Sequence, residues 1–350
     1  MNHFASRIAG LDGIRALAVC AVVWDHMYVS SATLPVTSRG YLGVDVFFVL
    51  SGFLITGLLL REREQKGQIS LRNFFLRRTL RIFPLYYSVV ALVAIYFVFV
   101  PGSSAQRGAY LDELPHHLTY TSNWIDLNTM MGITWSLATE EQFYLLWPLL
   151  FFLFGRKAIA LLVPALLFNQ AINFGVLDAW FDSIGFPYAA LEIMQCTFTP
   201  IILGVMLAFA LPSLDTSSAM HKFLTARFSG VALCVLVIVL ANWPGEFRGL
   251  PRLAFQFVVA CTIARVVLTP ASTLVRFLDW RPIAFVGGIS YGVYLLHVLV
   301  IHAVDKGLAF AHFHGTALRF MLTLLGSIAL AALSYRYFEL PFLRLKEKIQ

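Results

Sequence analysis

Long apolar runs separated by short polar or basic segments make up most of the chain. Ten runs come close to the roughly 20 residues that a helix needs to cross about 30 Å of hydrocarbon. They are Leu11–Ser31, Leu42–Leu60, Phe83–Pro101, Thr134–Phe154, Ala158–Leu177, Met194–Leu211, Phe228–Trp243, Leu250–Leu268, Pro282–His302 and Ala317–Phe338. The pattern predicts an all-α polytopic membrane protein with about ten transmembrane helices. Leu114–Ile125 is too short and too polar to span, and is expected at the membrane surface.

Composition agrees with this reading. Of 350 residues, 59% are apolar and only 13% charged, against about 25% charged in a soluble domain. The first run is too long for a signal-peptide core and lacks a cleavage motif, so it reads as a retained span. The four cysteines lie in apolar runs with no CxxC spacing, which suggests neither a disulfide framework nor a metal site. The charge of +7 is informative through its distribution and does not point to nucleic acid. Eighteen basic residues fall on one set of connections and the termini, five on the other set, and three within spans. The positive-inside rule then puts both termini in the cytoplasm. A short basic tail follows the last run, so residues 1–350 are expected to form one integral-membrane domain with no appended soluble domain.

Candidate chemistry comes from the polar residues inside apolar runs. Arg15 and His26 stand eleven positions apart, which on a helix places them on one face, about 16 Å apart along the axis. Each has a bland alternative: the arginine snorkels to the headgroups, and the histidine bonds a neighbouring helix. Depth estimates place His26 about 22 Å, and Asp45 and His297 about 24 Å, from the cytoplasmic face. Glu140 and Glu141 lie one to two turns inside the outer end of their run. Four ionisable residues on four spans at one level point to a bundle interior or a water-filled cavity. Arg78 and Arg81 lie three residues apart just ahead of the third run and share a helical face. With Arg15 at the same level, they read as an anion site, since guanidinium forks suit phosphate oxygens.

The stretches LDGIRALAVCAVVWDHM, GYLGVDVFFVLSGFLI, FFLRRTLRIFPLYY, TWSLATEEQFYLLWPL, GGISYGVYLLH and SYRYFELPFLRL follow one another through nearly the whole chain. Together they resemble the acyltransferase-3 family of bacterial membrane acyltransferases, which O-acylate sugars and related acceptors. The family's basic-residue–ten–histidine pattern falls on Arg15 and His26. Its Phe-Phe-x-x-Ser-Gly pattern falls on Phe47, Phe48, Ser51 and Gly52, and its Arg-x-x-Arg pattern on Arg78 and Arg81. The Trp-Ser-Leu-x-x-Glu-x-x-Phe-Tyr pattern falls on Trp135, Ser136, Leu137, Glu140, Phe143 and Tyr144. Some relatives carry a further extracytoplasmic hydrolase-like domain, which is not seen here.

The resemblance implies an acyl-CoA-dependent O-acyltransferase of the bacterial inner membrane. Acetyl-CoA is the default donor substrate; no cofactor is bound permanently and no metal is used. The acceptor would be a hydroxyl of a carbohydrate or glycolipid, such as lipopolysaccharide, exopolysaccharide or a peptidoglycan precursor. Arg15, Arg78 and Arg81 would meet the donor's phosphates. His26 would act as general base or acyl carrier, Asp45 would orient it, and Glu140 would share the proton or position the acceptor. Trp135, Ser136, Tyr144 and His297 are the candidate substrate contacts. The alternative is a transmembrane acyl relay, or a secondary transporter, feeding a separate extracytoplasmic acyltransferase.

Overall fold

The computed structural model describes residues 8–27, 38–100, 104–313 and 315–348, and every regular element among them is helical. In chain order the α-helices are α1 (Leu11–Asp25), α2 (Leu42–Lys66), α3 (Leu71–Phe99), α4 (Ser104–Thr119), α5 (Thr134–Phe154), α6 (Leu162–Asn173), α7 (Asp178–Ser183) and α8 (Tyr188–Ala210). They continue as α9 (Ala219–Thr225), α10 (Ser229–Ala241), α11 (Leu250–Leu268), α12 (Thr273–Leu278), α13 (Arg281–Gly288), α14 (Ser290–Phe310), α15 (Thr316–Ser334) and α16 (Leu340–Glu347).

Among the described residues, seven helical stretches are long and apolar enough to cross a membrane, or eight if α9 and α10, bent by 89°, form one crossing. Two local features separate this from the ten expected runs. The first run stops being helical at Asp25, after 15 residues, and its end lies outside the described residues. The fourth and fifth runs fall within a single stretch, Met130–Asn173, because Gly155–Leu161 winds on as a 3-10 helix between α5 and α6. Gly155 marks that join with φ +57, and a Cβ there would meet the Arg63 guanidinium at 2.2 Å. Glycine adopts this left-handed backbone without the steric cost that a Cβ brings.

The helices form two compact units. The first comprises Met1–Ile69, Leu150–Phe186 and Met194–Gly288. In it α1 packs against α2 and α13, and α10 against α11. The helices α2 and α8 touch through reciprocal glycines. A Cβ on Gly52 would sit 2.1 Å from the Ile201 carbonyl oxygen, and one on Gly204 would sit 2.1 Å from that of Val49. Small residues allow such backbone contact where lipid removes the usual hydrophobic drive between helices. Gly52 of the Phe-Phe-x-x-Ser-Gly motif is thus a packing residue.

The second unit comprises Ser70–Leu149, Pro187–Ile193 and Ile289–Gln350. Its spine is α3, 29 residues long and capped by Ser70, whose hydroxyl accepts from the Asn73 N–H. Arg77, Arg78 and Arg81 therefore lie within the helix, not in a loop ahead of it. From the far end of α3 the chain turns back as α4. The Tyr110 hydroxyl donates to the Val90 carbonyl, that of Tyr86 to His117, and that of Tyr87 to Leu118. Beyond α4, Tyr120 stacks on Tyr86 with ring centroids 4.4 Å apart, and on Phe83 at 5.5 Å. The polar stretch Leu114–Ile125 lies along α3, about 24 Å from its Phe99 end. Its carbonyls at His117 and Leu118 accept the Tyr86 and Tyr87 hydroxyls of α3. The helix α14 runs beside α3, with the Tyr291 hydroxyl on the Ile82 carbonyl and the Tyr96 hydroxyl 3.0 Å from His302 Nε2. Its partner α15 is tied to it by Arg319, which donates to both oxygens of Asp305.

Candidate active site

In the first unit the expected phosphate contact Arg15 is already engaged. Its Nη1 lies 2.6 Å from Oδ1 of Asp12, one turn earlier on α1. The short (i, i+3) spacing explains the pairing. His26 follows directly on α1, which ends at Asp25. Its backbone N–H bonds the Val22 carbonyl, and its Nδ1 stands 2.9 Å from that same oxygen. A carbonyl only accepts, so in this contact Nδ1 carries a proton; a neutral ring so held has Nε2 as its basic nitrogen, which is the tautomer a general base needs.

The carboxylate expected to orient His26 is committed elsewhere. Asp45, 1% exposed, receives Arg252 Nη2 at 3.2 Å on both oxygens and Gln256 Nε2 at 3.4 Å. The Arg252 guanidinium also lies 5.5 Å from the Tyr41 ring centroid. A buried carboxylate needs a cation, and Arg252 supplies it. Asp45 is therefore corrected from the histidine's partner to half of a buried ion pair. The readable signal was the polar pair Arg252 and Gln256, one helical turn apart in an otherwise apolar run. The acid within electrostatic reach of His26 is its chain neighbour Asp25, whose carboxylate accepts the N–H groups of Tyr41 and Gly40.

In the second unit the motif residues of α3 and α5 meet. The Arg78 guanidinium lies 4.1 Å from the centroid of the Tyr144 ring, a cation–π contact. The Tyr144 hydroxyl donates to Oε2 of Glu140 at 2.9 Å, across one turn of α5. Glu141 is an electrostatic neighbour of Arg78 and Glu140, and of Tyr86, Tyr87, Tyr120 and Tyr291. Its Oε1 is sealed from solvent and has no hydrogen-bond partner. Arg81 has Glu339 as its acidic neighbour. The expected separation, with Arg78 at one membrane face and Glu140 deep in the other half, does not hold. Thr134, where α5 begins, is held beside His117 at the returning end of α4. As a result α5 starts part-way along α3, and Glu140 and Glu141 come level with Arg78.

Three of the four expected substrate contacts each make a hydrogen bond within this unit. The Tyr294 hydroxyl donates to the Ile133 carbonyl at 2.9 Å, and the Ser136 hydroxyl lies 2.5 Å from the Tyr294 oxygen. Ser136 is enclosed, as is His297, whose Nδ1 bonds the Tyr294 carbonyl. The Ser136–Tyr294 bond ties α14 to the start of α5, whereas the His297 bond stays within α14. The third is Tyr144, which spans Glu140 and Arg78, whereas the fourth, Trp135, is half-buried at the start of α5. His117, in the stretch expected at the membrane surface, is fully buried. Its Nε2 lies 3.4 Å from Glu113 Oε2, and its Nδ1 lies 3.0 Å from Thr134 Oγ1. Glu113 also accepts the Asn128 N–H and the Thr129 hydroxyl, each at 2.6 Å. Burial alone would raise the Glu113 carboxyl. The bonds from His117, Thr129 and Asn128 outweigh it and hold the group below the ordinary carboxylate value. The Glu113–His117 spacing of four was the signal available in sequence.

Among the described residues, no group of three or more His, Cys, Asp or Glu side chains gathers as for a metal ion. No solved structure matches the chain. The chain is 30% identical to the peptidoglycan O-acetyltransferase OatA of Listeria monocytogenes, over 95% of its own length and 55% of that protein's. It is 29% identical to the putative peptidoglycan O-acetyltransferase YrhL of Bacillus subtilis, over 95% and 54%. Against the O-acetyltransferase OatA of Staphylococcus aureus the identity is 27%, over 95% and 57%. The chain thus spans about half the length of the curated relatives it matches. A family model described as an acyltransferase domain, Acyl_transf_3, matches residues 8–336. This match extends over nearly the whole chain, through every motif described above, and the protein belongs to the acyltransferase-3 family.

Proposed function

We propose that the chain acts as one membrane acyltransferase domain, residues 1–350, of the bacterial cytoplasmic membrane. It takes an acyl group, by default acetyl, from a cytoplasmic acyl-CoA and delivers it to a carbohydrate hydroxyl. The names of the relatives make a peptidoglycan-type glycan the first acceptor to test. The observation that carries the reading is the His26 tautomer: Nδ1 donates to the Val22 carbonyl and leaves the basic lone pair on Nε2. In a single-step transfer, Nε2 takes the proton of the attacking hydroxyl. The oxygen bonds to the thioester carbonyl, the carbon–sulfur bond breaks, and the proton passes to the departing sulfur. Asp25 steadies the imidazolium electrostatically. Arg78 and Arg81 bind the donor's phosphates. The eighteen-to-five split of basic residues supports cytoplasmic termini.

The test is transfer of labelled acetyl from acetyl-CoA to peptidoglycan fragments by the protein in lipid discs. His26→Ala is expected to lose about 10²–10⁴-fold in rate at matched protein level. Full activity in that variant sinks the assignment. Label held on the protein, with none in glycan, moves the reading to an acyl relay feeding a separate extracytoplasmic acyltransferase.

A further inference from the structure

The helix α5 carries four polar residues in a row, Thr139–Gln142, in a largely apolar sequence. Three of them are engaged by neighbours. The Thr139 hydroxyl donates to the Trp135 carbonyl at 3.1 Å, and Glu140 accepts the Tyr144 hydroxyl at 2.9 Å. The Gln142 amide donates to the Tyr120 carbonyl and to Asn123 Oδ1, each at 2.8 Å. Glu141 differs. Its Oε1 is sealed from solvent without a hydrogen-bond partner, and among the described residues its carboxylate accepts no hydrogen bond and joins no ion pair. Arg78 reaches α5 over the Tyr144 ring, 4.1 Å from the centroid, and not onto this acid. Tyr144 follows Glu141 by three positions, so the two project from one flank of α5. An enclosed carboxylate oxygen left without a donor is costly in free energy. A donor arriving from outside the chain removes that cost.

We infer that Glu141 is a further binding residue of the donor site, where its carboxylate accepts a hydrogen bond from the uncharged arm of coenzyme A. This rests on the reading of Arg78 and Arg81 as the donor's phosphate site. A carboxylate repels phosphate, so on the flank of α5 that Arg78 covers it suits the part of the donor that carries no charge. The arm that joins the diphosphate to the thioester holds one hydroxyl and two amide N–H groups, all of which donate. Such a bond fixes the direction in which the arm leaves the phosphates, and with it the place of the thioester. Glu140, the acid of the Trp-Ser-Leu-x-x-Glu pattern, is by contrast already bonded by Tyr144. A hydroxyl of the glycan acceptor offers the same hydrogen, and the experiment separates the two.

Binding to the full chain in discs of zwitterionic lipid is measured for coenzyme A and for adenosine 3′-phosphate 5′-diphosphate, which carries the phosphates without the arm. Glu141→Ala is expected to weaken coenzyme A binding about tenfold and to leave the armless nucleotide unchanged, while Arg78→Gln weakens both. Glu141→Gln, which keeps an accepting oxygen, is expected to lose less than Glu141→Ala. In the unaltered protein, coenzyme A is expected to protect Glu141 from a carbodiimide where the armless nucleotide does not, which tests the contact even if the alanine variant does not fold. Equal loss for the two ligands in Glu141→Ala, or loss for neither, overturns the role of Glu141; with Arg78→Gln still impaired, the donor site stands. Protection by both ligands, or by neither, overturns it likewise. Coenzyme A binding that Glu141→Ala, Arg78→Gln and Arg81→Gln all leave unaltered overturns both readings. Unchanged coenzyme A binding with a raised KM for peptidoglycan fragments assigns Glu141 to the acceptor and overturns the proposal.

Discussion

In the unit built on α1 and α2, cations meet acids in closed pairs: Arg15 with Asp12, Arg248 with Asp178, Arg252 with Asp45. In the unit built on α3, Arg78 lies over the Tyr144 ring, Arg319 pairs with Asp305, and a carboxylate oxygen of Glu141 is sealed in without a hydrogen bond. Burying a charge is costly in both places. In the first unit the pair of Arg252 with Asp45 meets part of that cost and joins α11 to α2. In the second, the unsatisfied acceptor of Glu141 is the kind of group a folded chain tolerates where a ligand completes the site.

The largest stability effect should come from breaking the buried arginine–carboxylate pair of the first unit. Arg252→Ala leaves Asp45 as an uncompensated buried charge and is expected to cost about 3–5 kcal/mol. Asp45→Leu combined with Arg252→Met should recover most of it. Thermal unfolding in detergent reads both, with transfer activity followed in parallel. If the double variant is stable but catalytically dead, Asp45 has a role in chemistry.

The network around Glu113 tests the other unit at a closed point. Its carboxyl titrates lower in the folded protein than in the unfolded chain. Between those two values the unfolded chain binds more protons, so stability rises with pH. The contribution is complete above the ordinary carboxylate range and is lost as pH falls through the folded value. A Glu113→Gln variant should be less stable at neutral pH and show a flatter acid limb in a plot of melting temperature against pH. Parallel acid limbs for the two proteins would show that these bonds do not act on the carboxylate.

The smallest effect is expected at Arg15. Its side chain is 23% exposed and paired along its own helix, so Arg15→Gln should change stability by less than about 1 kcal/mol. Donor affinity should also be unchanged, in contrast to Arg78→Gln. A marked loss of coenzyme A binding in Arg15→Gln would place a phosphate contact in the first unit and blur the comparison.

What was legible in the sequence follows local rules. Apolar run length marks the membrane-capable helices, because hydrocarbon thickness sets the number of residues required. Motif spacing identified the family and placed Arg78 with Arg81 on one face of α3. The tertiary structure alone decided which charges pair. Depth along a span treats every helix as starting at a membrane face, and α4 breaks that assumption by folding back along α3. The start of α5 moves with it, which brings Glu140 and Glu141 level with Arg78. Asp45 found Arg252, more than two hundred positions away. A buried charge is satisfied by whatever lies within a few ångströms, and that is set by how helices pack, not by how far apart the residues stand in the chain.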